Sequence, residues 1–162
     1  LVEEGVLVGR LSRLQRMDVE FGWQHAKQLG GLDIGQTVVV KRKAVLAVEA
    51  IEGTDRCIER AGELCPSGGF TVVKVAKPKQ DLRFDVPTIG IQTVEEIIRA
   101  GGRCLAVESG ITLFLDAEQA LKRADEAGLA IVGVPGEESL HARLGNGEAS
   151  SKPRGDVLDS RK

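Results

Sequence analysis

Thr37-Val-Val-Val-Lys41-Arg42-Lys43-Ala44-Val-Leu-Ala-Val48 places two β-branched or apolar runs on either side of a short basic turn. Such a pair reads as a β-hairpin. What flanks it decides the class. Downstream, Gly53 to Leu64 fits a helix: Thr54 is a plausible N-cap, Asp55 stands in the first turn, and Cys57, Ile58, Ala61 and Leu64 share a face. Ser67-Gly68-Gly69 reads as a turn, and Phe70 to Val75 as a buried strand. Thr93 to Ala100 reads as a helix with Thr93 as N-cap and Glu96 three residues on, a capping box that Gly101-Gly102 ends. Cys104 to Val107 is a strand and Ile111 to Leu115 a short apolar run. Asp116 caps a helix through Ala127, Gly128 stops it, and Leu129 to Val134 is the last strand. Upstream, Arg16 to Leu29 fits a helix that Gly30-Gly31 would stop. A hairpin followed by βα units argues for an α/β single domain, a mixed β-sheet flanked by helices, and against a purely parallel sheet.

The domain limits follow. Residues 1–15 are expected to be a loose lead-in, residues 16–134 the α/β domain, and residues 135–162 a flexible polar tail rich in Gly, Ser and charge. The 162 residues suit one domain with a proper core. A net charge of −2 offers no bulk electrostatic case for nucleic acid or an anionic membrane. Aromatics are 3% of the chain and Tyr is absent, which weighs against base-stacking platforms and aromatic-anchored interfaces. Cys57, Cys65 and Cys104 have no CxxC spacing and only His25 and His141 could join them, so a structural zinc site is not expected. Reduced, buried thiols in a cytoplasmic protein are the plain reading. No apolar run approaches the roughly 18 residues of a membrane span. The chain opens at Leu1 in what reads as mid-protein sequence, so a fragment is expected.

The chemistry gathers in two places. Lys74 to Thr88 holds four cations, two carboxylates and two prolines in fifteen residues, directly after an apolar strand. The cations could neutralise phosphate oxygens, and the carboxylates could hold a divalent metal or orient water. The bland reading is a solvated loop with screened ion pairs. Against it, Arg83-Phe84-Asp85 sets an apolar anchor between two charges, which would orient them. The second cluster is Glu49-Ala-Ile-Glu52-Gly53-Thr54-Asp55, where a strand gives way to a helix. Gly53 permits close backbone approach, and three carboxylates within seven residues suit magnesium. Equally, Glu52, Thr54 and Asp55 could simply cap the helix and favour its dipole. Glu49 ends a strand apolar enough to be buried, so it needs a partner, and Lys74 mirrors it on the next strand. Either they form a buried ion pair, or both face a ligand at the strand ends. Asp33 and Gln36 form a further polar knot before the first strand and could bond a sugar or a neighbouring loop. His25 suits a helix surface or interface, His141 lies in the tail, and Trp23 is expected to pack, in the core or against a partner surface. No GxGxxG, Walker lysine loop or serine nucleophile elbow is present.

LDIGQTVVV (32–40), AVLAVEAIEGTD (44–55), KVAKPKQDLRFDVPTIG (74–90) and VESG (107–110) together resemble the C-terminal domain of the LpxI-type UDP-2,3-diacylglucosamine diphosphatases, over roughly Arg16 to Val134. The resemblance implies hydrolysis of the pyrophosphate of UDP-2,3-diacylglucosamine to UMP and lipid X (2,3-diacylglucosamine 1-phosphate). That is a cytoplasmic step of lipid A synthesis, peripheral at the inner membrane, and it depends on a divalent cation, typically Mg2+. By this resemblance Asp85, Asp81 and Glu49 are expected to be catalytic, with Asp85 first. Lys74, Lys77, Lys79, Arg83 and Thr88 would bind the phosphates. Asp33, Gln36, Gly53 and Thr54 would position substrate or loops, and Glu52, Asp55 and Asp85 would hold metal. Family members carry an N-terminal α/β domain ahead of this one, with substrate between the two. The chain is therefore expected to be half of such a site, and the residues 1–15 a linker or remnant of that domain. Competing readings are a non-catalytic module binding a sugar nucleotide or lipid X, and a structural domain whose charges pair across a homodimer.

Overall fold

The computed structural model describes residues 1–78 and 85–136. Lys79, Asp81 and Arg83, and the tail from residue 137 onward, lie outside the described residues. The hairpin forms as read. Strand β2 (Thr37–Lys41) pairs antiparallel with β3 (Ala44–Val48), and Arg42 and Lys43 make the turn with positive φ of 50° and 58°. On its other side β2 pairs antiparallel with β4 (Thr71–Lys74). Strands β4, β6 (Cys104–Glu108) and β8 (Ala130–Val134) then run parallel. The lead-in departs from expectation: Gly5–Val8 is a strand, β1, pairing antiparallel with β8, and Val2 is buried. Its short, glycine-flanked sequence carries little periodicity, and only the open edge of β8 makes it a strand. The sheet is thus six-stranded in the order β1-β8-β6-β4-β2-β3, a parallel centre with antiparallel edges.

Alternation along the strands sorts the core into two layers. Val72, Leu105 and Ile131 face α2 (Thr54–Leu64), α3 (Ile91–Ala100) and α4 (Ala117–Ala127). Val73, Cys104, Ala106, Val38 and Val40 face the other way, onto Val19, Trp23 and Ala26 of α1 (Arg13–Gly31). Trp23 packs as expected, 2% exposed. Three caps differ from the sequence reading. Helix α1 begins earlier, at a capping box made by Ser12 and Gln15. Thr54 is the first residue of α2 and not its cap; Gly53, at φ 86°, holds that place. Thr93 lies inside α3, whose N-cap is Gly90, and Glu96 pairs with Arg99 instead of closing a capping box. Strand β5 (Thr88–Ile89), unmarked in the charged segment, pairs parallel with β7 (Leu113–Phe114), the short apolar run near Ile111. Among the described residues no helix is long and apolar enough to cross a membrane.

Candidate functional site at the carboxyl edge of the sheet

The topology brings the polar sequence clusters to one edge. The carboxyl ends of the parallel β4 and β6 point there. Because β2 is antiparallel to β4, its start lies at the same edge, and so does the end of β3; the pairs Thr37–Lys74, Lys74–Val107 and Val38–Val48 record this. Open α/β sheets place their sites at such an edge.

Lys74 is the centre of one half. It has the parity of Val72, so it projects between α2 and α3, and it is only 8% exposed. Its Nζ donates to Thr54 Oγ1 at 3.2 Å and to the Thr88 carbonyl at 3.1 Å. Thr54 in turn donates to Glu49 Oε1 at 3.2 Å, and its hydroxyl lies 3.4 Å from that of Thr37. Glu49, 8% exposed, also accepts from the Gln36 N–H at 3.4 Å. The sequence left a direct Glu49–Lys74 pair open; the two charges are joined through the Thr54 hydroxyl. Burial pushes the Lys74 pKa down, and the nearby Glu49, Asp55 and Asp85 oppose that shift in part. Helix α2 starts at Thr54, which this ammonium bonds, and α3 starts three residues beyond the Thr88 carbonyl that it also bonds. Both N-caps are glycines, Gly53 and Gly90, and neither start has a side-chain cap. Free N–H groups at such starts carry the positive end of the helix dipole and suit an anion, although Glu49, Asp55 and Asp85 stand near the same ammonium. Gly35 lets the strands close up: a Cβ there would stand 2.0 Å from the Glu49 carbonyl oxygen.

The other half was not singled out in the sequence beyond the VESG string. Glu108 has the parity of Ala106 and faces α1, where Lys27 Nζ lies 2.7 Å from both carboxylate oxygens. Oε2 also accepts the Ala76 N–H at 2.8 Å. This buried pair therefore pins the chain where it leaves β4, at the root of the charged segment. Lys27 also stands 5.5 Å from the Trp23 ring centroid, a cation–π distance. A mid-helix lysine carries no sequence mark of this role.

The remaining expected residues divide. Lys77 donates to Asp33 Oδ1 at 2.9 Å. Thr88 binds Lys74 through its backbone, while its hydroxyl donates to the Val86 carbonyl at 2.9 Å. Asp55 and Asp85 are exposed on the rim. Glu52 is drawn away: Arg60 Nη2 lies 2.7 Å from its Oε1, and that bond holds its carboxyl below the usual range. The trio Glu52, Asp55 and Asp85 is not assembled. Among the described residues no three His, Cys, Asp or Glu side chains come together to hold a metal ion. His25 bonds the Phe21 carbonyl within its own helix, as befits a surface residue. Around the polar centre, Leu32, Ile34, Ile51 and Val86 are exposed on the connections at this same edge. An apolar rim about a cationic centre suits a ligand with both characters.

Comparison with known proteins identifies the family. Residues 3–132 match the LpxI C-terminal domain. The chain is 38% identical over 128 residues to the UDP-2,3-diacylglucosamine pyrophosphatase LpxI of Caulobacter vibrioides, a match spanning 75% of this chain and 46% of that protein. The chain thus spans about half the length of the curated relative it matches. With a matched span that covers most of its residues, the chain belongs to the LpxI C-terminal domain family.

Proposed function

We propose that this domain supplies the phosphate-binding half of a UDP-2,3-diacylglucosamine pyrophosphatase, which hydrolyses the pyrophosphate to UMP and lipid X. The observation that carries this reading is the buried Lys74 ammonium, bonded to Thr54 at the side-chain-uncapped start of α2 and to the Thr88 carbonyl just ahead of α3. Burying the Lys74 ammonium is costly even with Glu49, Asp55 and Asp85 nearby, and a pyrophosphate would supply a direct anionic partner. The exposed Leu32, Ile34, Ile51 and Val86 would lie against the acyl groups of such a substrate. Comparison with a relative named for this activity supports the substrate class.

Lys74 and the helix-start N–H groups would draw charge from the phosphate oxygens as the phosphorus–oxygen bond breaks. Glu49, held by Thr54 and Gln36, would fix the Thr54 hydroxyl as an acceptor for Lys74, so that the ammonium keeps its aim. Asp85 would orient the attacking water. Since no protein group of three ligands is present among the described residues, magnesium would be held jointly, by Asp55 and Asp85 and by substrate oxygens. Magnesium accepts one or two carboxylates with water and phosphate completing its shell. When bound it would neutralise phosphate charge. Asp81, Lys79 and Arg83 belong to the proposal by family resemblance and lie outside the described residues. The reaction would run on the cytoplasmic side, at the membrane surface where its lipid product leaves.

The test is UMP release from UDP-2,3-diacylglucosamine with magnesium, for the chain alone, for Asp85→Ala, and with the other half of the relative added. Release that depends on Asp85 supports the reading, and dependence on the added half assigns this chain one side of the site. A second reading, binding without turnover, is favoured by the lack of an assembled three-ligand metal group among the described residues. It would be preferred if folded protein binds UDP and no mixture releases UMP.

A further inference from the structure

At the far end of α2 from Thr54, a second cluster of reactive side chains has no part in the site described above. Cys65 is the C-cap of α2 and lies in the turn that leads to β4. Lys41, the last residue of β2, reaches over this turn. Its Nζ is 3.6 Å from Cys65 Sγ, 2.9 Å from Ser67 Oγ and within bonding distance of the Gly68 carbonyl at 2.5 Å. Cys65 Sγ is itself 3.6 Å from Ser67 Oγ. The amine and the thiol thus come from different elements and are already in contact. The three cysteines are sharply unequal. Cys57 and Cys104 are fully buried in apolar surroundings, and burial pushes both thiols up to about 12. Cys65 is shifted the other way, chiefly by the Ser67 hydroxyl and then by Lys41, and it retains 9% exposure. A thiol beside a cation is the environment in which cysteines react.

We propose that Lys41 and Cys65 form a reversible, peroxide-dependent covalent cross-link between the end of β2 and the end of α2. The oxidant is a hydroperoxide. The Cys65 thiolate attacks its distal oxygen, an S–O bond forms, the O–O bond breaks, and the leaving oxygen takes a proton from solvent, giving sulfenic acid and water (or an alcohol). Lys41 Nζ gives up a proton to water and attacks the sulfenyl sulfur. The S–N bond forms, the S–O bond breaks, and the hydroxyl leaves as water with the second proton from nitrogen. Sulfur is oxidised by two electrons and the peroxide is reduced by two. A thiol reductant returns the dithiothreitol-sensitive S–N link to free thiol and amine. Ser67 and the Gly68 carbonyl act as positioning groups, since they hold Nζ beside the sulfur.

The full chain is treated with a modest excess of hydrogen peroxide, with and without later reduction, and mapped by peptide mass spectrometry. The expected product is a Lys41–Cys65 peptide pair lighter by two hydrogen atoms than the sum of its parts, lost on reduction, with Cys57 and Cys104 unmodified. Lys41→Arg keeps the cation and should leave Cys65 oxidation fast, yet give sulfenic acid that a cyclic diketone traps, with no cross-link. Lys41→Met should also slow Cys65 oxidation, by about threefold to tenfold. Circular dichroism on each variant confirms the fold, and the arginine variant serves if the methionine one does not fold. Equal oxidation of all three cysteines in the folded chain would overturn the proposal. So would a Cys65 sulfenic acid that persists with Lys41 present. Neither outcome depends on any pyrophosphatase activity.

Discussion

Replacing Lys74 with Met separates a functional buried cation from a structural one, because the two make opposite predictions for stability. The substitution keeps an unbranched stem in a site only 8% exposed and removes the ammonium. Two charge-assisted hydrogen bonds go, to Thr54 Oγ1 at 3.2 Å and the Thr88 carbonyl at 3.1 Å, each with a net worth of about 1.5–3 kcal/mol. Removed with them is the cost of burying a charge, which is several kcal/mol in proteins after relaxation. These contributions are of one size, and the lowered Lys74 pKa gives the sign: burial outweighs the attraction of Glu49, Asp55 and Asp85. Lys74→Met should therefore hold stability within about 1 kcal/mol of the parent or raise it, a Tm change of about 2–4 °C at most. Binding should go the other way. Loss of one charge-assisted contact to a phosphate oxygen weakens UDP by roughly 10- to 150-fold. The pH dependence provides a second check. A lysine whose folded pKa lies below 10.5 sheds its proton first in the folded state, so the cost of its charge is fully present at neutral pH. That cost fades as pH rises through the folded pKa toward 10.5, and the parent should gain on Lys74→Met over that window. Urea melts at several pH values and calorimetric titration of UDP with magnesium supply both readings. A variant that loses more than about 3 kcal/mol while its folded fraction binds UDP unchanged would refute the reasoning.

Glu108→Ala should cost about 3–5 kcal/mol in urea denaturation, since it strands the Lys27 ammonium and the Ala76 N–H, whereas the double change Lys27→Met, Glu108→Leu should recover only the part due to the ammonium. Glu52→Gln should leave UMP release within about twofold of the parent, because Glu52 is turned toward Arg60 on the outer face of α2; a large drop would return Glu52 to the metal site. Gly35→Ala should destabilise by about 1–3 kcal/mol or more by thermal melt, its Cβ having to displace the Glu49 backbone. Thr54→Val should weaken UDP binding while Thr54→Ser preserves it, for the hydroxyl alone joins Lys74 to Glu49.

Local pattern and chain chemistry were enough for part of this protein. The Thr37–Val48 hairpin, the βα succession after it, the apolar runs of β4, β6 and β8, and helix α4 between Asp116 and Gly128 all follow from side-chain period and turn residues, which act within a few positions along the chain. The strings around Glu49, Lys74 and Gly90 were long enough to carry the family as well. Helix starts were legible only in part: threonine marks a cap in general, yet Gly53 and Gly90 took those places, freeing the Thr54 hydroxyl for Lys74 and Glu49. Strand β1 has no pattern of its own and exists because β8 would otherwise have an open edge. Nor could spacing have revealed that Lys27 meets Glu108 from 81 positions away, or that Lys41 rests on Cys65 from 24. Those contacts arise where strand parity sends a side chain to one face and a helix happens to cross it. Charge content is a property of the sequence; which charge is buried, which is paired and which is left for a ligand is a property of how the layers stack.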